Sequence, residues 1–304
     1  MSAQHPSVAA VDIGTNSVRL LILAEDGSTL EREMVITRLG QGVDRSGSLH
    51  PDAIARTTEV LRAYRALIDK QRVQRVRATA TSAARDAGNR DLFFSEAEAA
   101  LGTRPELISG EEEATLSFRG ATSGLGREQG PFLVVDIGGG STEFVVGETA
   151  PEALISVPLG AVRMTERCIH GDPPTAAELA ACADATRAVL VDVKREVPYE
   201  RARLMIGVAG TITSLASLAK GSLRYDPQVT HHSRLQRHVV QELCARLARV
   251  EVAERRGMLA EPKRAEVLIA GAVVLHTIMQ ELAVDELMVS ESDILDGLAA
   301  SLRS

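Results

Sequence analysis

Val8 to Leu23 reads VAAVDIGTNSVRLLIL, and Phe132 to Gly147 reads FLVVDIGGGSTEFVVG. With Asp12 set over Asp136, Ile13 and Gly14 match Ile137 and Gly138, and Ser17 matches Ser141. Each copy is an apolar run of strand character, an Asp-Ile-Gly step, a small polar turn and a second apolar run, which predicts a β-hairpin. The copies stand 124 positions apart. That offset is domain-sized, so the chain reads as two related α/β halves rather than a short-period solenoid.

The turns carry readable chemistry. Gly14-Thr15-Asn16-Ser17 and Gly138-Gly139-Gly140-Ser141 can aim successive backbone N–H groups and hydroxyls at one anion, because glycine allows tight turning and close approach. Arg19 and Thr142, just beyond the turns, join them as phosphate-binding candidates. Asp12 and Asp136 end the first strands and Glu143 opens a second strand, three hard oxygen donors suited to magnesium or manganese. Either turn alone is equally well read as a plain hairpin; an Asp at the same place in both favours the phosphate cradle. Neither turn is a Rossmann fingerprint or a Walker A loop, because a second strand follows at once and no GK[ST] is present. A third segment, MIGVAGTITSL from Met205 to Leu215, runs from a strand end through Gly210 and Thr211 into a helical stretch whose N-terminus suits an anion. Alone it would be an ordinary strand-to-helix turn.

Composition bounds the rest. Of 304 residues, 45% are hydrophobic and 25% charged, which excludes a disordered or fibrous chain. Only 3% are aromatic and there is no Trp, so the core must be aliphatic. The longest apolar run, Val267 to Leu275, is far short of the roughly 20 residues that span a bilayer, so no membrane partner is expected. Met1 to Ser7 lacks a basic and apolar secretory pattern, which makes the cytoplasm the expected location. Cys168, Cys182 and Cys244 fit neither a disulfide framework nor a zinc site and read as reduced thiols. The net charge of -7 argues against nucleic acid as a partner. Two basic stretches, Arg56 to Arg90 and Arg224 to Arg264, are read first as solvated helix faces and second as a field converging on an anionic substrate.

The paired hairpins resemble the actin-like ATPase (ribonuclease H-like) superfold of sugar kinases, actin and chaperone ATPases. The resemblance implies α/β architecture, two related domains with mixed sheets, and hairpins facing each other across a cleft. Four further segments narrow it: ATATSAARDAGNR (Ala78 to Arg90), ISGEEEATLSF (Ile108 to Phe118), VPLGAVRMTE (Val157 to Glu166) and GVAGTITSLA (Gly207 to Ala216). With both hairpins they resemble the exopolyphosphatase and guanosine pentaphosphate phosphohydrolase (Ppx/GppA) family over nearly the whole chain. By that resemblance Arg85 engages substrate phosphate, Glu113 activates water and a magnesium ion assists. These parts suit phosphoryl transfer, which needs charge neutralisation and an oriented nucleophile. Glu111 and Glu112 also read as first-turn acids favoured by the helix dipole, an alternative that stays open for Glu113.

The resemblance is to the family's short form, without the helical C-terminal extension; a shorter channel and a bias toward short polymers follow. His231 and His232 are adjacent and cannot form a one-turn helical metal pair; they read as a loop near substrate or at the surface. Where the family pattern expects Gly-Leu-Arg-Glu/Asp-Gly, this chain has Ser290 to Gly297, SESDILDG, with Leu295 in place of the arginine. That segment reads as a strand-to-helix crossover. The implied activity is release of terminal phosphate from inorganic polyphosphate. Guanosine pentaphosphate as substrate, a kinase, and a non-enzymatic sensor of polyphosphate or guanosine tetraphosphate are the alternatives, and a homodimer would suit the family.

The predicted layout places strands at Val8 to Ile13, Val18 to Leu23, Val73 to Thr79, Phe132 to Val135, Glu143 to Val146 and Leu204 to Val208. Helices are expected at Pro51 to Asp69, Gly110 to Gly120, Thr175 to Arg195, Gly210 to Ala219, Gln236 to Arg249 and Arg264 to Leu282. The glycine-rich Thr122 to Pro131 stretch suggests a boundary. A first domain of residues 1–124 and a second of 125–290 are expected, with 291–304 packing back on the first.

Overall fold

The computed structural model describes residues 6–303. They form two compact units, one running up to Gly120 and resuming at Ile294, the other Ala121–Asp293.

In the first unit β1 (Val8–Ile13) is buried along its whole length, as a central strand must be. It pairs antiparallel with β2 (Ser17–Leu23), which pairs antiparallel with β3 (Thr29–Ile36). On its other side β1 lies parallel to β4 (Arg75–Ala80), followed by the two-residue β5 (Glu106–Leu107). The order is β3-β2-β1-β4-β5. Side chains alternate across the sheet. Ala9, Val11 and Ile13 pack with Leu61, Tyr64, Phe93 and Ala97 of the helices Pro51–Lys70 and Arg90–Leu101. Val8 and Ala10 pack with Leu116 of the helix Gly110–Thr122 and with Ile294 and Leu298 of the terminal helix Ile294–Ser301. Asp12 continues that second alternation, so it projects from the face covered by the helix that carries Glu113.

The second unit repeats the plan. β6 (Phe132–Ile137), β7 (Thr142–Gly147) and β8 (Pro151–Val157) form an antiparallel meander, and β9 (Leu204–Val208) runs parallel to β6. β10 (Arg234–Gln236) pairs antiparallel with β11 (Glu286–Val289), which runs parallel to β9. The order β10-β11-β9-β6-β7-β8, taken from β8, is the first sheet's order with β10 added. The duplication of the hairpins thus extends to both sheets, and the α/β, actin-like plan of two mixed-sheet units is the one observed.

Local signals explain the helix ends. Pro51 stands at the first helical position and the His50 ring accepts from the Asp52 amide, relieving one of the orphan donors of a helix start. Thr175 and Glu178 form a capping box at the helix Ala176–Glu196. The last long helix starts at Leu268, later than Arg264, because Pro262–Arg264 closes as a 3₁₀ turn first. β3, β8 and the helix Ala161–Cys168 add elements that the sequence patterns did not reveal. β3 (TLEREMVI) is largely solvated and has no apolar alternation to announce it. Among the described residues no helix is long and apolar enough to cross a membrane.

Candidate active site

In both copies the hairpin closes through the glycine of Asp-Ile-Gly. Gly14 N–H donates to Ser17 O, and Gly138 N–H to Ser141 O, each at 3.0 Å. The next carbonyls are then drawn to one side by neighbouring elements. In the first unit Thr15 O accepts from Gly40 N–H at 2.8 Å, and Asn16 O accepts from Thr37 and Arg38 N–H at 3.1 and 2.9 Å. A trans peptide is planar, with its C=O and N–H opposed, so holding these carbonyls turns the Asn16 and Ser17 amides the other way. The approach requires glycine at position 40, where a Cβ would run into Thr15 Cγ2 and come to 3.0 Å from Ala83 Cβ.

In the second unit Gly138 O accepts from Ala161 N–H at 2.9 Å, Gly139 O from Val162 and Arg163 N–H at 2.9 and 3.1 Å, and Gly140 O from Arg163 Nε at 2.6 Å. Three carbonyls held in succession leave the amides of Gly139, Gly140 and Ser141 turned away from the framework. Among the described residues, neither these amides nor those of Thr15 and Asn16 donate to another protein group. Runs of outward N–H groups of this kind are chemically suited to an anion.

Thr142 and Arg19 take different places. The Thr142 hydroxyl donates to the Leu159 carbonyl and is fully buried, bracing the turn. Arg19 lies opposite Asp12 in register and donates to Asp12 Oδ2 from Nε and Nη2 at 3.1 and 2.7 Å.

The acidic run divides its three carboxylates among three environments. Glu112 meets Arg77 at 2.7 Å. Glu111 has its pKa lowered by its own backbone amide and by the Ser109 hydroxyl at the helix start. Glu113 meets Arg85 Nη1 at 2.7 Å, and the same nitrogen reaches Ile108 O at 3.1 Å. Arg85 lies in the helix Ser82–Asp86 directly after β4. Since Ala83 of that helix and Thr15 of the turn both border Gly40, the arginine, the glutamate and the first Asp-Ile-Gly turn belong to one neighbourhood within the first unit.

Within the second unit Asp136 and Glu143 are cross-strand partners, on one face of the sheet and only 5% and 1% exposed. Glu143 also accepts from Ser156 Oγ at 2.7 Å. Like charges directly opposite each other are destabilising, and a cation relieves them. Among the described residues no group of three His, Cys, Asp or Glu side chains forms a metal cage. Two carboxylates fit a magnesium-like ion, which keeps several waters.

At the third turn the chain passes through Ala209 with φ 69°, a strained value for a residue with a Cβ. A Cβ on Gly210 would run into the Arg264 guanidinium, so that cation lies against the turn. Thr211 is buried, with Gly271 placed so that a Cβ there would come to 2.8 Å from its Oγ1. Sequence reading did not single out Arg264, Gly40, Gly160 or Arg163 as parts of the site. The motif VPLGAVRMTE held Gly160 and Arg163, but nothing local shows which carbonyls they meet. His231 and His232 stack at 3.7 Å, with His231 Nδ1 accepting from Glu291 N–H and His232 N–H donating to Val289 O; they fasten a turn to the end of β11.

A model of the Ppx/GppA phosphatase family matches residues 22–303. The chain is similar to Exopolyphosphatase 2 of Mycobacterium tuberculosis, 46% identical over 97% of this chain and 98% of that protein. It is 30% identical to the guanosine-5'-triphosphate,3'-diphosphate pyrophosphatase of Vibrio vulnificus, over 100% of this chain and 60% of that protein. Among solved structures, the Aquifex aeolicus Ppx/GppA family member superposes with a TM-score of 0.80 at 33% identity, covering 97% of each chain.

Proposed function

The chain belongs to the Ppx/GppA phosphatase family, and on that premise we propose that it is an exopolyphosphatase, hydrolysing the terminal phosphoanhydride of inorganic polyphosphate. The observation that carries the reading is the Arg85–Glu113 pair at 2.7 Å in the neighbourhood of a turn with unused amides. Arg85 binds the terminal phosphate and offsets its charge, and Glu113 orients a water and accepts its proton. The water oxygen bonds to the terminal phosphorus as the bridging P–O bond breaks, leaving orthophosphate and a chain shorter by one unit. The unused amides of the first turn hold non-reacting phosphate oxygens, since such positioned donors supply much of the catalysis in phosphoryl transfer, and the second turn offers phosphate the same kind of donor. Asp136 and Glu143 would hold Mg2+ or Mn2+, which supplies further neutralisation of the phosphate oxygens. Asp12, with one oxygen taken by Arg19, is the weaker metal candidate.

A guanosine pentaphosphate substrate is the second reading, supported by the similarity to the Vibrio protein and by the same catalytic set. The polyphosphate reading is preferred because the Mycobacterium relative is closer and matches along its full length. Action in the cytoplasm suits three unpaired cysteines.

The test is phosphate release by the purified chain with Mg2+ from short polyphosphate, long polyphosphate, guanosine pentaphosphate and ATP, with Glu113→Gln beside it. Release from polyphosphate, abolished in the variant while binding persists, is expected. Equal turnover by the variant would remove Glu113 from its role, and binding without release from any of the four would favour the sensor.

A further inference from the structure

The helix Ala161–Cys168 starts against the second phosphate turn, and its first three amides are all taken up by Gly138 O and Gly139 O. Its N-terminus therefore holds the turn and is not itself turned to a ligand. Gly140 O lies beyond the reach of those amides, and a side chain serves it: Arg163 Nε donates to it at 2.6 Å. In the first copy the equivalent carbonyl, Asn16 O, is held by two backbone amides, from Thr37 and Arg38. The two copies thus secure the same peptide by different means. In the second copy that peptide follows a glycine, and a glycine-flanked peptide rotates with little steric resistance. A rotated Gly140–Ser141 peptide would present a carbonyl oxygen where an N–H is needed, turning attraction for a phosphate oxygen into repulsion.

We propose that Arg163 is a positioning residue: by holding Gly140 O it keeps the Ser141 N–H presented to a substrate phosphate oxygen. The proposal rests on the reading of Gly138–Ser141 as a phosphate cradle, and its test separates the two. Orthophosphate is titrated into 15N-glycine- and 15N-serine-labelled protein, wild type, Arg163→Met and Arg163→Lys, while the amide signals of Gly139, Gly140 and Ser141 are followed; kcat and KM on polyphosphate and the melting temperature are measured alongside. The wild type should show all three amides responding. Arg163→Met should lose the Ser141 response and keep those of Gly139 and Gly140, with kcat down about 10- to 100-fold, somewhat less than deletion of a whole oxyanion donor. Arg163→Lys, whose ammonium can still donate to the carbonyl, should restore most of the Ser141 response. A Ser141 amide that still responds in Arg163→Met, with phosphate binding merely weaker, would overturn the proposal and make Arg163 a direct ligand. Loss of all three responses with a lowered melting temperature would overturn it in favour of a general structural role. Wild-type amides that ignore phosphate would remove the cradle itself, and the proposal with it.

Discussion

Gly160 marks the point where the helix Ala161–Cys168 presses on the backbone of the second phosphate turn. Its φ of -130° and ψ of 159° suit any residue, so replacement by alanine introduces no torsional strain. The obstacle is space. A Cβ there would lie 2.5 Å from both Gly139 C and Gly140 N, closer still to Gly139 O, where ordinary contact starts at 3.4 Å. All three atoms are main chain, so no side chain can swing aside, and the helix start or the turn must move by about 1 Å. Overpacking of this kind costs about 1–3 kcal/mol, or several degrees of melting temperature for a unit of this size. A displacement of about 1 Å in a positioning element costs on the order of 100-fold in rate. Gly160→Ala should therefore lower phosphate release from polyphosphate by that order while the protein stays folded, as followed by thermal unfolding and a phosphate-release assay. Gly257→Ala is the control, since a Cβ at that helical position meets nothing within 4 Å and should leave activity unchanged with equal or slightly higher stability. If Gly160→Ala matches the wild type in both rate and melting temperature, the close-contact reasoning fails.

Gly297 in the terminal helix is a second close approach: a Cβ would lie 2.8 Å from Leu116 C and closer to its oxygen, so Gly297→Ala should loosen the helix that carries Glu113, visible as faster hydrogen exchange across residues 110–122. Glu178 has its carboxyl pulled down to about 2 by N–H groups of Thr175, His170 and Gly171. Because its folded pKa lies below the unfolded one, its contribution is present above about pH 4.5 and lost as pH falls toward 2; Glu178→Gln should melt below the wild type at pH 7, with the gap closing through that window. Asp136→Asn and Glu143→Gln should each raise the Mg2+ concentration needed for half-maximal activity at least 10-fold, while Asp12→Asn should leave it within a few-fold; loss of metal dependence only in the Asp12 variant would reverse the assignment.

The hairpins were legible because a fully buried strand ending in Asp-Ile-Gly is a local pattern, and its second appearance announced the duplicated sheets. Arg85 and Glu113 came from motifs rather than from periodicity, and only the structure resolves which of three adjacent acids meets the arginine. What holds the cradle open was not legible. Gly40 and Gly160 lie 25 and 22 positions beyond Thr15 and Gly138, and no local signal shows that a distant glycine or helix start will take up those carbonyls. Adjacency near a turn does not show what a side chain meets. Arg19 and Thr142 follow the cradle in sequence, but the register sets Arg19 opposite Asp12 and the Thr142 hydroxyl goes to Leu159 O.

One cross-strand position accounts for much of the difference between the copies. Opposite the Asp that ends the first strand stands Arg19 in one unit and Glu143 in the other. The first is an ion pair, with Arg19 donating to Asp12 Oδ2. The second sets two carboxylates on one face and nearly shielded from water, where like charges repel each other most strongly. On the function proposed above, this pairing favours the second turn as the place for a divalent cation, since an ion there would lower the repulsion between the carboxylates. On the same proposal Arg85 and Glu113 of the first unit, which form an ion pair, serve the water and its base, because a phosphate reaching Arg85 competes with Glu113 for the guanidinium and frees the carboxylate to act.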